Sequence, residues 1–416
     1  MTNSKYVPKR RFKEFELDDE WEQLKLGEHA NILTGGTPNT SISSYWEPKE
    51  IPWMSSGEVN RRRLDKTDNM ISNDGIRNSS ARWVKKHSIL IALAGQGKTR
   101  GMVAVNNIPL TTNQSIAAIE PDKTLNYEFV FQNLSKRYDE LRLISSGDGS
   151  RGGLNKQIVS DISIACPNVN EQELIGNFLA DFDSLITMNQ HKLDKLIDLK
   201  KAYLSEMFPA EGERVPKRRF PGFEGEWEQK KLTDLLSLLK DGTHGTHQDV
   251  NKGPLLLSAK NIKGGDIIWD ETDRRISLEE YMKIHSKFVL NSGDILLTIV
   301  GSIGEAAVLE DASNITFQRS VAFLRPNKTV STQFLYTKIQ TKEFQKELDN
   351  RKSTSAQPGI YLGDLESIPI SFTPLKKEQN KIGKFFEALD QLVTLQQQKL
   401  DKLNDLKKAY LNELFV

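Results

Sequence analysis

Along two stretches of the chain, apolar residues recur at alternating steps of four and three. The first series, within 171–208, is Ile175, Leu179, Phe182, Ile186, Leu193, Leu196, Tyr203 and Met207. The second, within 378–415, is Ile382, Phe386, Leu389, Val393, Leu400, Leu403, Tyr410 and Leu414. This heptad spacing predicts two helices of roughly 38 residues, each about 57 Å long with one apolar seam. We expect two such helices in one chain to pack against each other.

The two stretches are copies of one sequence, offset by 378 − 171 = 207 residues without a gap. KLDKL stands at 192–196 and again at 399–403. The repeat also extends upstream, because PKRRF and EWEQ each occur before both helices. Their positions are 8–12, 216–220, 20–23 and 226–229. The chain is therefore an internal repeat of a basic lead-in, a Trp anchor, a variable segment and a long helix.

The variable segments, 24–167 and 230–374, resemble each other only in outline. Short runs rich in β-branched residues, such as 88–95 and 293–301, predict strands in both. Amphipathic helices are predicted at 127–143 and 332–348, so each segment is α+β. Near-identical helices beside diverged segments indicate one structural role and two specificities. The predicted division is an N-terminal lead-in and globular domain at 1–167, a helix at 168–208, a linker at 209–226, a second globular domain at 227–374 and a helix at 375–416.

Composition narrows the class of protein. The chain has 416 residues, enough for two or three domains, and a net charge of +1. Its one cysteine, Cys166, excludes internal disulfides and Cys-based zinc sites, which fits a reducing cytoplasm. Neither an N-terminal signal nor a membrane span is expected, since no apolar run is long enough. A basic surface for nucleic acid must arise by local segregation of charge or be shared with a partner.

No catalytic or metal site is expected. Gly95-Gln96-Gly97-Lys98-Thr99 is similar to part of a phosphate-binding loop, but the full pattern needs a glycine where Ala92 stands. A turn between strands with a basic side chain is favoured instead. The histidines are scattered, and the close pair His244 and His247 has no cysteine or carboxylate set to complete a zinc site.

Loops with basic and amide side chains are the remaining chemical signal. Arg and Lys can bind guanine edges or phosphates, and Asn and Gln can pair with adenine. The candidate DNA contacts of the first segment are Thr37, Arg61, Arg62, Arg63, Lys98, Arg100, Asn113, Gln114, Arg151, Asn155 and Lys156. Those of the second segment are Thr243, His244, Lys260, Asn261, Lys263, Arg274, Arg275, Gln318, Arg319, Lys352 and Ser353. For each residue the alternative is ordinary solvated surface.

The helices carry their own predictions. In an antiparallel pair with a pseudo-twofold axis, Asn189 and Gln396 are expected to meet at the axis, hydrogen-bond and fix the register. Towards the C-terminal ends, apolar residues lie on more than one helix face, so a two-helix seam cannot bury them all and a helical partner subunit could. These residues are Ile197, Leu199, Leu204 and Phe208 in the first helix and Leu406, Leu411 and Phe415 in the second. The residues assigned to helix pairing and partner docking are Asn189, Leu193, Leu196, Tyr203, Gln396, Leu400, Leu403 and Tyr410.

The duplicated Trp-Glu-Gln anchor, the two segments led by Gly-Thr and the KLDKL…LKKAYL helices resemble a specificity (S) subunit of a type I restriction–modification enzyme. The resemblance covers essentially the whole chain. It implies two target recognition domains, each reading half of a bipartite site in double-stranded DNA through the major groove. It also implies an antiparallel coiled coil as spacer, which docks two methyltransferase (M) subunits that restriction (R) subunits join. S-adenosylmethionine and ATP with magnesium then belong to the partners, with no cofactor in this chain.

Two other functions are open at this point. A stand-alone sequence-specific DNA-binding regulator would bind its site tightly without any partner. A nuclease would cleave DNA as a pure chain with magnesium, although no cofactor motif or carboxylate cluster stands out.

Overall fold

The computed structural model describes residues 6–95, 99–144, 153–286, 288–353 and 358–416. The chain forms two compact units. Unit 1 contains residues 1–190 and 399–416, and unit 2 contains residues 191–398. Both divisions fall inside the long helices, so each unit holds one globular domain and a segment of each helix. Among the described residues, no helix is both long and apolar enough to span a membrane.

Unit 1 is built around two sheets. Its strands are β1 Glu22–Lys25, β2 Ala30–Thr34, β3 Ile51–Met54, β4 Arg63–Leu64, β5 Asn69–Ile71, β6 Trp83–Val84, β7 Ile89–Ala92, β8 Val103–Asn106, β9 Leu110–Thr112, β10 Ile116–Pro121 and β11 Ser163–Cys166. Its helices are α1 Leu26–His29, α2 Asn73–Arg77, α3 Tyr127–Lys136, α4 Tyr138–Leu143 and α5 Lys156–Asp161. The strand orders are β2-β10-β7-β8-β4 and β5-β3-β9-β6, and β1 pairs with β11.

The long helices are α6, Val169–Glu206, with 38 residues and α11, Lys376–Leu414, with 39 residues. These lengths agree with the helices that the heptad pattern predicts. Every residue of the two predicted seams is buried or half-buried.

Unit 2 repeats the sheet arrangement of unit 1 but differs in its short strands and helices. Its strands are β12 Glu228–Lys231, β13 Leu236–Asp241, β14 Leu255–Leu257, β15 Ile262–Lys263, β16 Asp266–Ile267, β17 Ile295–Thr298, β18 Ala306–Val308, β19 Ile315–Phe317, β20 Val321–Pro326 and β21 Pro369–Phe372. Its shorter helices are α7 Leu278–His285, α8 Thr332–Ile339, α9 Lys342–Asn350 and α10 Leu362–Glu366. The sheet order β13-β20-β17-β18 matches β2-β10-β7-β8 of unit 1. The parallel pair β14 and β19 likewise matches β3 and β9.

The two helix segments within each unit run antiparallel. In unit 1 the Phe178 and Tyr410 rings are 5.0 Å apart, and Lys407 Nζ lies 2.5 Å from Asp183 Oδ1. A later residue of α6 thus meets an earlier residue of α11. Unit 2 shows the same direction, with Tyr203 against Phe385 and Lys200 paired with Asp390.

The register within unit 1 brings Asn189 near the level of Leu400. Asn189 is buried, and its amide donates to Leu185 O at 2.7 Å. The predicted hydrogen bond between Asn189 and Gln396 would join the two units, and it stays a prediction.

Each core includes the end of a long helix. Leu414 and Phe415 lie in the core of unit 1, and Met207 and Phe208 lie in that of unit 2. Phe415 packs on Phe129 with ring centroids 5.0 Å apart. The expectation that a partner subunit covers Phe208 and Phe415 is therefore wrong, because the globular domains bury both rings.

The amphipathic helices predicted at 127–143 and 332–348 are each two helices. Arg137, with φ −89° and ψ 18°, separates α3 from α4. In unit 2 the extended backbone of Thr341 interrupts the helix, and its hydroxyl accepts from Phe344 N. Apolar periodicity continued across both breaks, so the pattern alone did not reveal them.

Candidate nucleic-acid interface

Loops that are far apart in sequence meet where the strands of the main sheet in unit 1 begin or end, on one side of the sheet. Leu93 N, after β7, donates to Ser115 O at 2.8 Å, just before β10. Leu154 N donates to Leu93 O at 3.0 Å, and Gly36 N donates to Thr112 O at 2.8 Å. We name the surface formed by residues 35–37, 93–95, 99–101, 113–115 and 153–155 the first loop edge.

Unit 2 assembles the equivalent loops through equivalent bonds. Ile299 N donates to Ser320 O at 2.9 Å, and Ile360 N donates to Ile299 O at 2.9 Å. Arg319 N donates to Thr243 O at 3.0 Å. We name residues 242–244, 299–305, 318–320 and 358–361 the second loop edge. The repeat thus positions one loop surface in each unit.

One glycine in each unit permits the close approach that builds the edge. A Cβ on Gly35 would lie 2.1 Å from Thr112 O, and one on Gly242 would lie 2.2 Å from Phe317 O. No side chain fits against backbone at such distances, so both turns require glycine.

At the first loop edge, Thr37 and Gln114 come together as exposed side chains. The Thr37 hydroxyl donates to Gln114 Oε1 at 2.6 Å. Asn113 instead shapes its own turn, because its Oδ1 accepts from Ser115 N at 3.1 Å. Asn155 caps α5 by accepting from Ile158 N at 2.8 Å, which favours a structural role for it.

The remaining candidates near this edge divide between described and undescribed residues. Lys156 is exposed at the first position of α5, and Arg100 is half-buried. Lys98 and Arg151 lie outside the described residues, so their assignment stays a prediction.

Arg62 and Arg63 lie at the opposite end of the sheet, next to α6. Arg63 donates to both carboxylate oxygens of Glu128, at 2.6 and 3.0 Å, and to Asp183 at 3.2 Å. The Arg62 guanidinium lies 5.3 Å from the Phe131 ring centroid. These partners lie inside unit 1, which favours a structural role for both residues. Arg61 is likewise held, by Asp68 at 2.5 Å.

At the second loop edge, Thr243 and Gln318 lie side by side through a backbone bridge. His244 Nε2 lies 2.5 Å from Asp241 Oδ2, with the ring mostly exposed. Arg319 and Lys263 are exposed, and among the described residues neither has an ion-pair partner. Both cations are therefore open to contact phosphate or a base edge.

Several candidates of unit 2 support the fold instead. Asn261 is buried and bonds Ser258 N, Ile268 O and Asp273 Oδ1. The Lys260 ammonium, 2.7 Å from Asp273, and the Asn261 amide lower the pKa of that carboxyl to about 2. These bonds use the Asn261 amide inside the unit and favour a structural role for it, so its assignment as a DNA contact stays a prediction.

The basic residues at 274–275 and 352 also have hydrogen-bond or ion-pair partners within unit 2. Arg274 binds Asp249 at 2.6 Å, and Arg275 donates to Gly253 O at 3.0 Å. Lys352 pairs with Asp349, and the Ser353 hydroxyl accepts from Gly359 N at 3.1 Å.

Sequence reasoning missed two residues behind the second loop edge. His247 Nε2 lies 2.8 Å from Thr243 Oγ1, and its Nδ1 lies 2.7 Å from Glu280 Oε1. The imidazole is buried, with 6% of its side chain exposed. Glu280 lies 33 residues along the chain, in α7, so no sequence pattern linked the two.

The residues that the repeat preserves form one junction in each unit. Arg11 binds Glu171 through two bonds of 2.9 and 2.5 Å, and Arg219 binds Glu378 through bonds of 2.6 and 2.8 Å. Both carboxylates are fully buried at the start of a long helix. The lead-in and anchor sequences therefore fasten each globular domain to its helices.

Apolar residues remain exposed on the helices at matched positions. Leu185, Met188 and Leu199 on α6 correspond to Leu392, Leu395 and Leu406 on α11, and all six are at least 40% exposed. Met188 and Leu199 are 11 residues apart, about three turns, and so share a helix face. We name these six residues the helix stripes. Of the other residues assigned to helix pairing, Leu193 and Leu400 are buried, and Leu196, Tyr203, Leu403, Tyr410 and Gln396 are half-buried.

Comparison with known proteins gives concordant matches. The model of the type I restriction modification DNA specificity domain matches the chain twice, over residues 18–197 and 224–405. The type I restriction enzyme MjaVIII specificity subunit of Methanocaldococcus jannaschii is 22% identical over 98% of this chain and 96% of its own length. The EcoR124I/EcoR124II specificity subunit of Escherichia coli is 28% identical over 46% of each chain. A type-I restriction-modification S subunit from M. genitalium has the same fold, with a TM-score of 0.65, 15% identity and 99% of both chains covered.

Proposed function

This chain belongs to the type I restriction modification DNA specificity family, and we propose that it is the DNA-recognition subunit of a type I restriction–modification complex. The observation that carries the proposal is the duplicated junction, Arg11 with Glu171 and Arg219 with Glu378. It occurs in two units that have matching main sheets but different loop edges. Two loop edges with different side chains suit an asymmetric target that consists of two half-sites. Membership of this family does not favour the alternative function, a stand-alone sequence-specific DNA-binding regulator.

Each loop edge is proposed to read one half-site. Thr37 with Gln114 at the first edge, and Thr243 with Arg319 at the second, offer hydrogen-bonding groups suited to base edges in the major groove. Lys156 and Lys263 supply exposed charge for phosphates. The different side chains at the two edges account for two different half-sites.

The helix stripes are proposed to dock the two methyltransferase subunits. Exposed leucine and methionine at helical spacing form an apolar face that a partner helix can cover. Because the stripes are duplicated, one partner fits each copy. The chemistry then lies with the partners, which would bind S-adenosylmethionine, and ATP with magnesium in the restriction subunits. This chain would contribute recognition without catalysis.

The proposal is tested by co-expressing the chain with its M subunits and mapping methylated adenines across a genome. A bipartite motif is expected. Replacing residues 24–167 with the equivalent segment of another specificity subunit should change one half of that motif and leave the other unchanged. A change in both halves would contradict the assignment of one half-site to each unit.

Docking is tested with one charged substitution in each stripe. Met188→Lys or Leu395→Lys alone should reduce the number of M subunits that co-purify from two to one, and the double variant should lose both. Leu17→Lys is the control, because Leu17 is fully exposed and outside the helices. Native mass spectrometry measures the stoichiometry, and two bound M subunits in the double variant would exclude the stripes as the docking face.

A further inference from the structure

Thr243 at the second loop edge is held from three sides. Its backbone N–H donates to Phe317 O at 2.9 Å, and its carbonyl accepts from Arg319 N at 3.0 Å. Its hydroxyl lies 2.8 Å from Nε2 of the buried His247. Thr243 itself is half-buried, so part of the residue is open to the surface. Supporting hydrogen bonds of this kind hold a binding side chain in one orientation.

The partner of Nδ1 fixes the tautomer of His247. An ionised Glu280 carboxylate can only accept, so the ring nitrogen 2.7 Å from it must carry the proton. In the neutral imidazole, Nε2 then has a lone pair and no hydrogen. The Thr243 hydroxyl must therefore donate its hydrogen to Nε2.

This leaves the Thr243 oxygen with lone pairs only. Gly245 N lies 3.4 Å from Oγ1 and engages at most one of them. Gly245 also makes room for the ring, since a Cβ there would lie 3.0 Å from His247 Cε1. Towards the surface, Thr243 is an acceptor and cannot be a donor.

We propose that Thr243 accepts a hydrogen bond from the exocyclic amino group of an adenine or a cytosine in the second half-site, and that His247 and Glu280 are positioning residues for it. In the major groove only adenine N6 and cytosine N4 are such donors. The inference rests on the proposed function, and it assigns a base class to one position of the target. Unit 1 differs, because Thr37 donates to Gln114 rather than to a histidine.

The test uses the complex with its M subunits and a target duplex taken from the mapped motif. Each adenine or cytosine of the second half-site is replaced singly by purine or 2-pyrimidinone, which lack the amino group. Binding is measured at pH 8. For the unmodified protein, one replacement should weaken binding about 5- to 100-fold.

Thr243→Val and His247→Phe should both remove the sensitivity at that position, so that natural and modified duplexes bind within about twofold. Thr233→Val, at an exposed threonine outside both loop edges, should leave it intact. The inference is overturned if no position of the second half-site depends on an amino group. It is also overturned if either the Val or the Phe variant keeps the full sensitivity.

Two controls keep these outcomes distinct. If His247→Phe fails to show a cooperative melting curve, Glu280→Gln replaces it, because glutamine can donate to Nδ1 and release the tautomer. Unchanged amino-group sensitivity in Glu280→Gln would then overturn the inference. Failure of the proposed function has a different signature, since the complex would yield no bipartite methylation motif from which to make the duplex.

Discussion

Single lysines beside the ends of the long helices show how residues hold each unit together. In unit 2, Lys338 is buried, with its Nζ 5.5 Å from the Phe208 ring centroid. In unit 1, Lys136 donates to Phe415 O at 3.2 Å. A cation near a helix C-terminus is favourable because the last carbonyls are unsatisfied. The cost of burial nevertheless lowers the pKa of Lys338 to about 8.

The lowered pKa of Lys338 predicts a pH dependence of stability. Between about pH 8 and the ordinary lysine pKa of about 10.4, the unfolded chain binds more protons at this residue than the folded chain does. The free energy of unfolding of unit 2 should therefore rise with pH in this window. Lys338→Met should remove that rise and be more stable at pH 7, whereas the exposed Lys263→Met should keep it. Thermal melts at several pH values measure both, and an unchanged slope in Lys338→Met would contradict the assignment.

For single residues, the sequence predicted which side chains have suitable hydrogen-bonding groups better than it predicted whether those side chains face solvent. Residue type and loop context marked Thr37, Gln114, Thr243 and Arg319, and the structure brings them to the loop edges in two pairs. The same criteria also marked Asn261, whose amide is used inside the fold. Loop composition does not distinguish an amide that closes a turn from one that faces solvent, because the turn geometry depends on distant strands.

Among the elements, the pairing of α6 with α11 rests on buried charge as well as on the apolar seam. In unit 1, Asp183 accepts from Lys407, Arg63 and Gln132, and Arg62 lies 3.7 Å away. Burial opposes its ionisation, but Lys407 and Arg62 outweigh burial and lower the pKa of Asp183. One carboxylate thus ties both helices to the sheet.

The two partners of this ion pair should differ in their effect when removed. Asp183→Asn leaves Lys407 without its buried counter-charge and weakens the hold on Arg63, so we expect a loss of about 3 kcal/mol in the stability of unit 1. Lys407→Met leaves Asp183 with Arg63 and Gln132, and should cost about 1 kcal/mol or less. Urea denaturation measures both variants. Equal losses would show that Arg63 does not compensate.

The elements themselves followed from the sequence because their signals are long or local. A heptad maintained over 38 residues predicted α6, and runs of β-branched residues predicted the strands β7 and β17. The interruptions at Arg137 and Thr341 did not follow, since each depends on one residue leaving helical dihedrals. The burial of Phe208 and Phe415 also did not follow from the sequence. The heptad pattern predicts which residues pack between two helices, but it does not predict which residues pack against a globular domain.

For the whole molecule, the helices are expected to set the distance between the two half-sites. Inserting four residues after Leu193, with a matched insertion after Leu400, adds about 6 Å to each helix and nearly preserves the helix face. At about 3.4 Å per base pair, this should lengthen the non-specific spacer by one or two base pairs and keep both half-sites. Methylation mapping of the variant is the measurement. An active variant with an unchanged spacer would show that the helices do not set the distance.

The composition of unit 1 has a consequence for synthesis of the protein. Unit 2 is one continuous stretch, 191–398, and its residues can assemble as soon as they leave the ribosome. Most of unit 1, residues 1–190, precedes unit 2 in the chain, but its core includes Leu414 and Phe415, which follow unit 2. The half of the protein that is translated first is therefore completed last, after the other half has been made. During that interval the core of unit 1 lacks Leu414 and Phe415, and a nascent chain that stops short of residue 414 leaves unit 1, not unit 2, unfinished.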